Sequence, residues 1–412
     1  MSPEVFVTGI GMVTPAGAGA QRTWEGLLAG GRFVRAAPWL DLEGCATRFA
    51  AAIGDFTPLA EAPADPVCGY AAAAYQDYIL NDLPKHIYTL INSQEIRLSR
   101  ISIGTSKGGV HSFSSVSRNL SKGPFGLINH LEDLCCIPPD APARCLAVRA
   151  PAGGMHATVA ACATGTLAAI RGVRLIEDGD AEQVLAGSSD ASLVRLWFAA
   201  FERMGVLAPE HPVKGPAWAC RPFDAHRNGF ALGEGAAVLA LESGDSVRRR
   251  GARPIARIAG AAMTTDPAGL TAVSPDAEPL AHAIRLACGR AGCRPEEIVC
   301  IHAHGTGTRA NDMVEARAIR TALRAHARNV PIVSIKGAIG HLLGAAGAVE
   351  LALAALTCQQ GISPGNVTLE EPDPELGELC LPRETFRPGC GPVLKTALGF
   401  GGHVAAVVLT PA

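Results

Sequence analysis

The chain has 412 residues, 48% of them hydrophobic and 18% charged, with a formal net charge of −2. That composition describes a soluble globular protein with a large core, and it excludes nucleic acid or a membrane surface as a partner chosen by overall charge. The 13 cysteines do not read as a disulfide framework: the chain opens Met1-Ser2-Pro3-Glu4-Val5 with no basic, signal-type leader and holds no CxxC pair. Reduced thiols, a cytoplasmic location and no bound metal are expected. No uninterrupted apolar run reaches the roughly 18 residues that suggest a membrane span.

In chain order, Val5-Phe6-Val7-Thr8-Gly9-Ile10-Gly11 reads as a strand followed by small residues. Met155-His156-Ala157-Thr158-Val159-Ala160-Ala161 reads as a short apolar strand, Cys162 follows, and Ala163-Thr164-Gly165 starts a helix. The apolar positions Leu167, Ile170, Val173 and Ile176 mark its buried face, and Gly179 stops it. A thiol at a helix N-terminus feels the positive end of the macrodipole, so a lowered pKa and a nucleophilic thiolate are expected at Cys162.

A polar, basic seam from Ser243 to Pro254 precedes a second opening strand, Ile255 to Met263. Ile298 to Ala303 reads as a strand ending in His304-Gly305-Thr306-Gly307-Thr308. Val330 to Ile335 reads as another, ending in Lys336-Gly337-Ala338-Ile339-Gly340-His341. The segment from Leu342 to Leu356 is apolar nearly all round apart from Glu350, as a buried core helix is. Val393 to Leu409 reads as two strands around Gly399-Phe400-Gly401-Gly402. Strands alternating with helices predict the α/β class. Each half repeats a strand, a turn with a reactive group and an Ala-rich helix, so two halves are expected, residues 1–245 and residues 246–412. In open α/β sheets, catalytic groups gather at such strand ends.

Taken together these motifs, with Phe223-Asp224-Ala225-His226-Arg227-Asn228-Gly229-Phe230, Gly233-Glu234-Gly235 and Gly340-His341-Leu342-Leu343-Gly344-Ala345-Ala346-Gly347, make the chain resemble the β-ketoacyl-acyl carrier protein synthases of the elongating type. The resemblance covers nearly the whole chain and is poor only from about Ala71 to Ile101 and from Phe113 to Arg149. It implies the thiolase fold, two duplicated halves in a five-layer α-β-α-β-α arrangement. It implies a decarboxylating Claisen condensation, in fatty acid or polyketide-type elongation, between an acyl group on Cys162 and malonyl-carrier protein. His304 and His341 are then imidazole donors to the developing enolate. Lys336, with Glu315 as its expected carboxylate partner, sets the site's electrostatics. Phe400 is a gate whose backbone N–H joins that of Cys162 in an oxyanion hole. Thr306 and Thr308 bind the phosphopantetheine arm and Phe230 lines its tunnel. No permanently bound cofactor is implied, since the substrates ride on the 4'-phosphopantetheine of an acyl carrier protein. A homodimer is implied, with a heterodimer with a ketosynthase-like subunit as the alternative.

Several positions depart from the family's pattern. Lys107, in Gly104-Thr105-Ser106-Lys107-Gly108-Gly109, stands where an apolar residue floors the acyl pocket. There, an ammonium without a partner would oppose a long saturated chain. His302 replaces a common Asn, and Thr396-Ala397 and His403-Val404 replace residues that help hold a monovalent cation in some relatives, so that ion is not expected. Two other readings remain. A thiolase would need a second catalytic Cys, and none stands in the Gly399 turn. A non-catalytic partner subunit would lack Cys162.

Overall fold

A computed structural model of the protein describes residues 3–54, 65–82, 99–120, 131–150 and 152–412. Among the described residues, ten strands form the main path of the central sheet structure: β1 (Val5–Thr14), β2 (Ser99–Gly104), β3 (Met155–His156), β4 (Gln183–Asp190), β5 (Gly235–Ser243), β6 (Ala256–Thr265), β7 (Cys300–His302), β8 (Ile332–Val333), β9 (Val393–Gly399) and β10 (His403–Thr410). Their spatial order is β8-β7-β9-β10-β6-β1-β5-β4-β2-β3. Each half reads first-fifth-fourth-second-third from the middle outward. In each, the inner pairs are antiparallel and the outer pairs parallel. One topology has been used twice. The five strands of each half form one sheet, and the two sheets join edge to edge where Val5, Phe6 and Val7 pair with Ile258, Arg257 and Ala256, with a further bridge between Leu232 and His341. In sequence, helix Gly244–Arg250 lies between the two halves, and it packs on β1 and β5 of the first half.

Six helices complete the layers: α1 (Pro66–Asp82), α2 (Ala141–Arg149), α3 (Thr164–Glu177), α4 (Glu278–Ala291), α5 (Arg309–Leu323) and α6 (Ala346–Gln360). Helices α1 and α2 cover the outer face of the first sheet. Helix α4 covers that of the second, with α5 beside it. Helices α3 and α6 pack on each other and touch strands of both sheets, so they form the middle of five layers. A helix between two sheets has no wet face over its buried length, which is why α6 is apolar from Ala346 to Leu356 apart from Glu350. The two helices meet at glycines. A Cβ on Gly165 would lie 2.3 Å from the backbone N of Ala348, and one on Gly347 would lie 2.7 Å from the backbone N of Thr166. Only the smallest residue allows that approach.

Three expected strands are shorter than their apolar runs. Val330 to Ile335 contributes only Ile332 and Val333 to the sheet, because Pro331 has no N–H to give and the chain turns into the helix Lys336–Ile339. Ile298 to Ala303 contributes Cys300–His302. Before Cys162 only Met155 and His156 pair. Residues 83–98 and 121–130, within the two stretches that match the family poorly, lie outside the described residues. No helix among the described residues is long and apolar enough to cross a membrane.

Candidate active site

Cys162 and His341 occupy equivalent turns in the two halves. Cys162 sits in a 3-10 turn, Ala161–Ala163, that leads into α3. His341 precedes a 3-10 turn, Leu343–Ala345, that leads into α6. Each turn holds a non-glycine residue in the left-handed region, Ala161 at φ 46° and Leu343 at φ 50°. Backbone of this kind is kept where surrounding contacts over-determine it. Thr164 Oγ1 supplies some of them, accepting from Ala160 N at 2.9 Å and donating to Ala161 O at 2.7 Å.

A single cavity is lined by Cys162, His304, His341, Phe230, Thr306, Thr308 and Phe400, among others. The His304 and His341 rings stand perpendicular with centroids 5.6 Å apart, and Phe230 meets His341 edge-on at 4.9 Å. Leu343 N donates to His341 Nδ1 at 3.2 Å. Nδ1 is therefore an acceptor, which leaves the proton of the neutral ring on Nε2. The Thr306 and Thr308 hydroxyls bond each other at 2.9 Å. Gly402, at φ 80°, lets the turn after Phe400 press on the loop opposite, where a Cβ would lie 2.1 Å from Asp266 O.

Electrostatics correct one expectation. The Cys162 thiol is not lowered. Part of the residue reaches the cavity, but the protein around the sulfur desolvates it, and burial pushes it up to about 11 against the pull of Lys107 and Lys336. Both imidazoles are held well below the ordinary histidine value. Burial is the first cause, and then for His304 the charges of Lys336, His341 and Lys395 and for His341 those of Lys336, Lys107 and Lys395. At neutral pH the site therefore holds a thiol and two uncharged rings.

The partner expected for Lys336 is also corrected. Its ammonium donates to Glu350 Oε1 and to the carbonyl of His304, not to Glu315. Glu315 turns instead to the chain at His304, accepting from His304 N and Gly305 N at 2.7 Å each and from Thr396 Oγ1 at 2.6 Å. Helix α5 aims Glu315 at that turn, whereas the carboxylate within reach of Lys336 lies on the central helix. Sequence reading passed over Glu350 and Lys395, which pair at 2.8 Å. Each was visible as the one charge in an apolar element. Lys107 is not unpaired. It donates to Ser106 Oγ, lies 3.5 Å from Asp190 Oδ1 and sits 5.0 Å from the Trp197 ring centre.

Models of the β-ketoacyl synthase N-terminal domain and C-terminal domain match residues 134–246 and 255–370. The chain belongs to the β-ketoacyl synthase family. As a member of that family it is a condensing enzyme, an acyltransferase. It is 34% identical to a putative polyketide β-ketoacyl synthase 1 of Streptomyces cyaneus over 100% of this chain and 98% of that protein. It is equally, 34%, identical to a 3-oxoacyl-[acyl-carrier-protein] synthase 2 of Synechocystis over 97% and 96%. Among solved structures, the ishigamide ketosynthase/chain length factor superposes with a TM-score of 0.89 at 28% identity, over 100% of both chains. These neighbours share the thiolase fold of this synthase.

Proposed function

We propose that this synthase condenses an acyl group held on Cys162 with a malonyl group delivered by an acyl carrier protein, and that residues 1–245 and 246–412 are the two halves that bring the groups together. The cavity shared by Cys162, His304 and His341 carries this reading. In the first half-reaction the Cys162 sulfur attacks the acyl thioester. The carbonyl oxygen takes negative charge beside the backbone N–H groups of Cys162 and Phe400, and the carrier thiol leaves with the proton that Cys162 gives up. In the second, malonyl-carrier loses carbon dioxide. His341 Nε2–H and His304 hold the enolate oxygen, the enolate carbon attacks the acyl carbon, and the Cys162 sulfur leaves as thiolate and takes up a proton from solvent to restore the thiol. Thr306 and Thr308 offer hydroxyls along the approach for the pantetheine arm, Phe230 walls it and Phe400 gates it. Lys336 and Glu315 hold the His304 turn from opposite sides. Lys107 stands on the acyl side of Cys162 in this reading. Its pairing with Asp190 removes the cost of a lone ammonium, so chain length is set by space rather than by charge. The protein has no permanently bound cofactor in this account and works in the cytoplasm.

Labelled acyl-carrier and carboxyl-labelled malonyl-carrier test it. Cys162→Ala should take up no acyl label. His304→Ala and His341→Ala should load normally and release little carbon dioxide; wild-type release from both would sink the assignment. A homodimer is the assembly we favour, because Met155 on the outermost strand and Val159 just after it are 41% and 49% exposed. Pairing with a chain length factor, as in the ishigamide neighbour, is the second reading, and mass measurement on the purified chain separates the two.

A further inference from the structure

The carboxylate that meets Lys336 is shared. Lys395, on β9, is wholly buried, and its ammonium lies 2.8 Å from Glu350 Oε2 and donates to the carbonyl of Thr396. Two buried ammonium groups on one carboxylate is more positive charge than fixing Lys336 requires. A further carboxylate is reached through Thr396, whose hydroxyl bonds Glu315, and Glu315 in turn holds His304 N. Lys336, Glu350, Lys395 and Glu315 thus surround the His304 turn from the central helix, from the second sheet and from α5. We propose that Lys395 is a positioning residue for the decarboxylating half-reaction: with Lys336 it clamps Glu350, fixes the His304 turn, and places a second fixed positive charge beneath the two imidazoles.

The inference rests on the enolate role proposed above for His304 and His341. A positive charge beneath neutral rings opposes their protonation and favours the negative charge that the enolate develops. The lowered pKa of both rings is in part its doing. The other groups facing this region do not duplicate it. His302, 2.9 Å from Thr357 Oγ1, is pushed down to about 3 by burial and by Lys395, so it adds no charge. Lys107, tied to Asp190, also lowers His341 but is not among the charges that lower His304, so it does not act on both rings as Lys395 does. Asp312 is turned to the N–H groups of Phe223, Thr306 and Gly307.

Lys395→Met tests the proposal, read by carbon dioxide release from malonyl-carrier between pH 5 and pH 9, acyl loading of Cys162, and NMR titration of labelled histidine rings. We expect loading to stay within about twofold, release at pH 6 to fall about tenfold, and the acid limb of release and the ring titrations to move up by about one pH unit. Lys395→Gln keeps an N–H donor for Thr396 without the charge. It should show the same shifts, and it serves if the Met variant does not fold. A glutamine variant with the wild-type pH profile would make Lys395 structural only and overturn the inference. His304→Ala run in parallel separates the failures. If that control keeps full release, the imidazole roles fall and the inference with them; if it loses release while both Lys395 variants keep it, Lys395 alone is wrong.

Discussion

Glu350 is the only carboxylate in direct contact with two ammonium groups among the described residues of the site, so its loss leaves Lys336 and Lys395 uncompensated in the core. Glu350→Gln should destabilise the fold by about 3–5 kcal/mol in denaturant unfolding, the usual cost of stranding a buried charge. Cys162 gives a second check. With its thiol near 11, alkylation at this residue should rise about tenfold per pH unit from pH 7 to pH 9 without a plateau, read by mass spectrometry of the Cys162 peptide. Lys107 pulls that value down, so Lys107→Met should slow the reaction at every pH in that range. A plateau near pH 8 would contradict the burial argument. Cys162, His304, His341 and Lys336 were legible in the sequence because each sits in a turn whose neighbours are contiguous with it. The Lys336–Glu350 pair and the raised thiol were not. Both arise from helix-on-sheet packing, which brings together groups that no local spacing connects.

Helices α3 and α6 show the same division at the next scale. Their existence followed from Ala-rich, apolar patterns, and the lone Glu350 already broke the pattern of α6. Helix α6 runs from Ala346 to Gln360 rather than from Leu342 to Leu356, however, because a 3-10 turn at Leu343–Ala345 precedes it. Their contact at Gly165 and Gly347 was not visible, since a glycine in a helix marks a close approach only once the neighbour is known. Gly347→Val should press on the backbone of Thr166 and cost about 1–3 kcal/mol, the usual penalty for overpacking. The melting temperature should drop by several degrees. Because the two reactive turns lead into these helices, kcat for condensation should fall more than the small loss of stability explains. Unchanged kcat with a lowered melting temperature would uncouple the helix contact from the chemistry. The strand lengths were over-read for a different reason: β8 starts only after a proline and stops at a helical turn, and apolar composition alone does not say where pairing begins or stops.

At the scale of the molecule, the repeated strand order makes the two halves near-equivalents, and the seam in sequence coincides with the short helix Gly244–Arg250 between them. The internal echo of motifs foretold the duplication, whereas the stacking into five layers came from the family resemblance and not from periodicity. For assembly, Val159→Arg should shift the purified protein from dimer to monomer in light scattering, while the thermal stability of each chain changes little; a Val159→Arg dimer of unchanged affinity would place the interface elsewhere. The middle layer has one more consequence. Because α3 and α6 are the inner wall of both sheets, neither half can loosen without exposing the apolar surface of the other. Heat should therefore remove structure and turnover in the same step. Activity remaining after brief heating should track the surviving fraction of native circular dichroism point for point, with no interval in which the enzyme is silent but still folded.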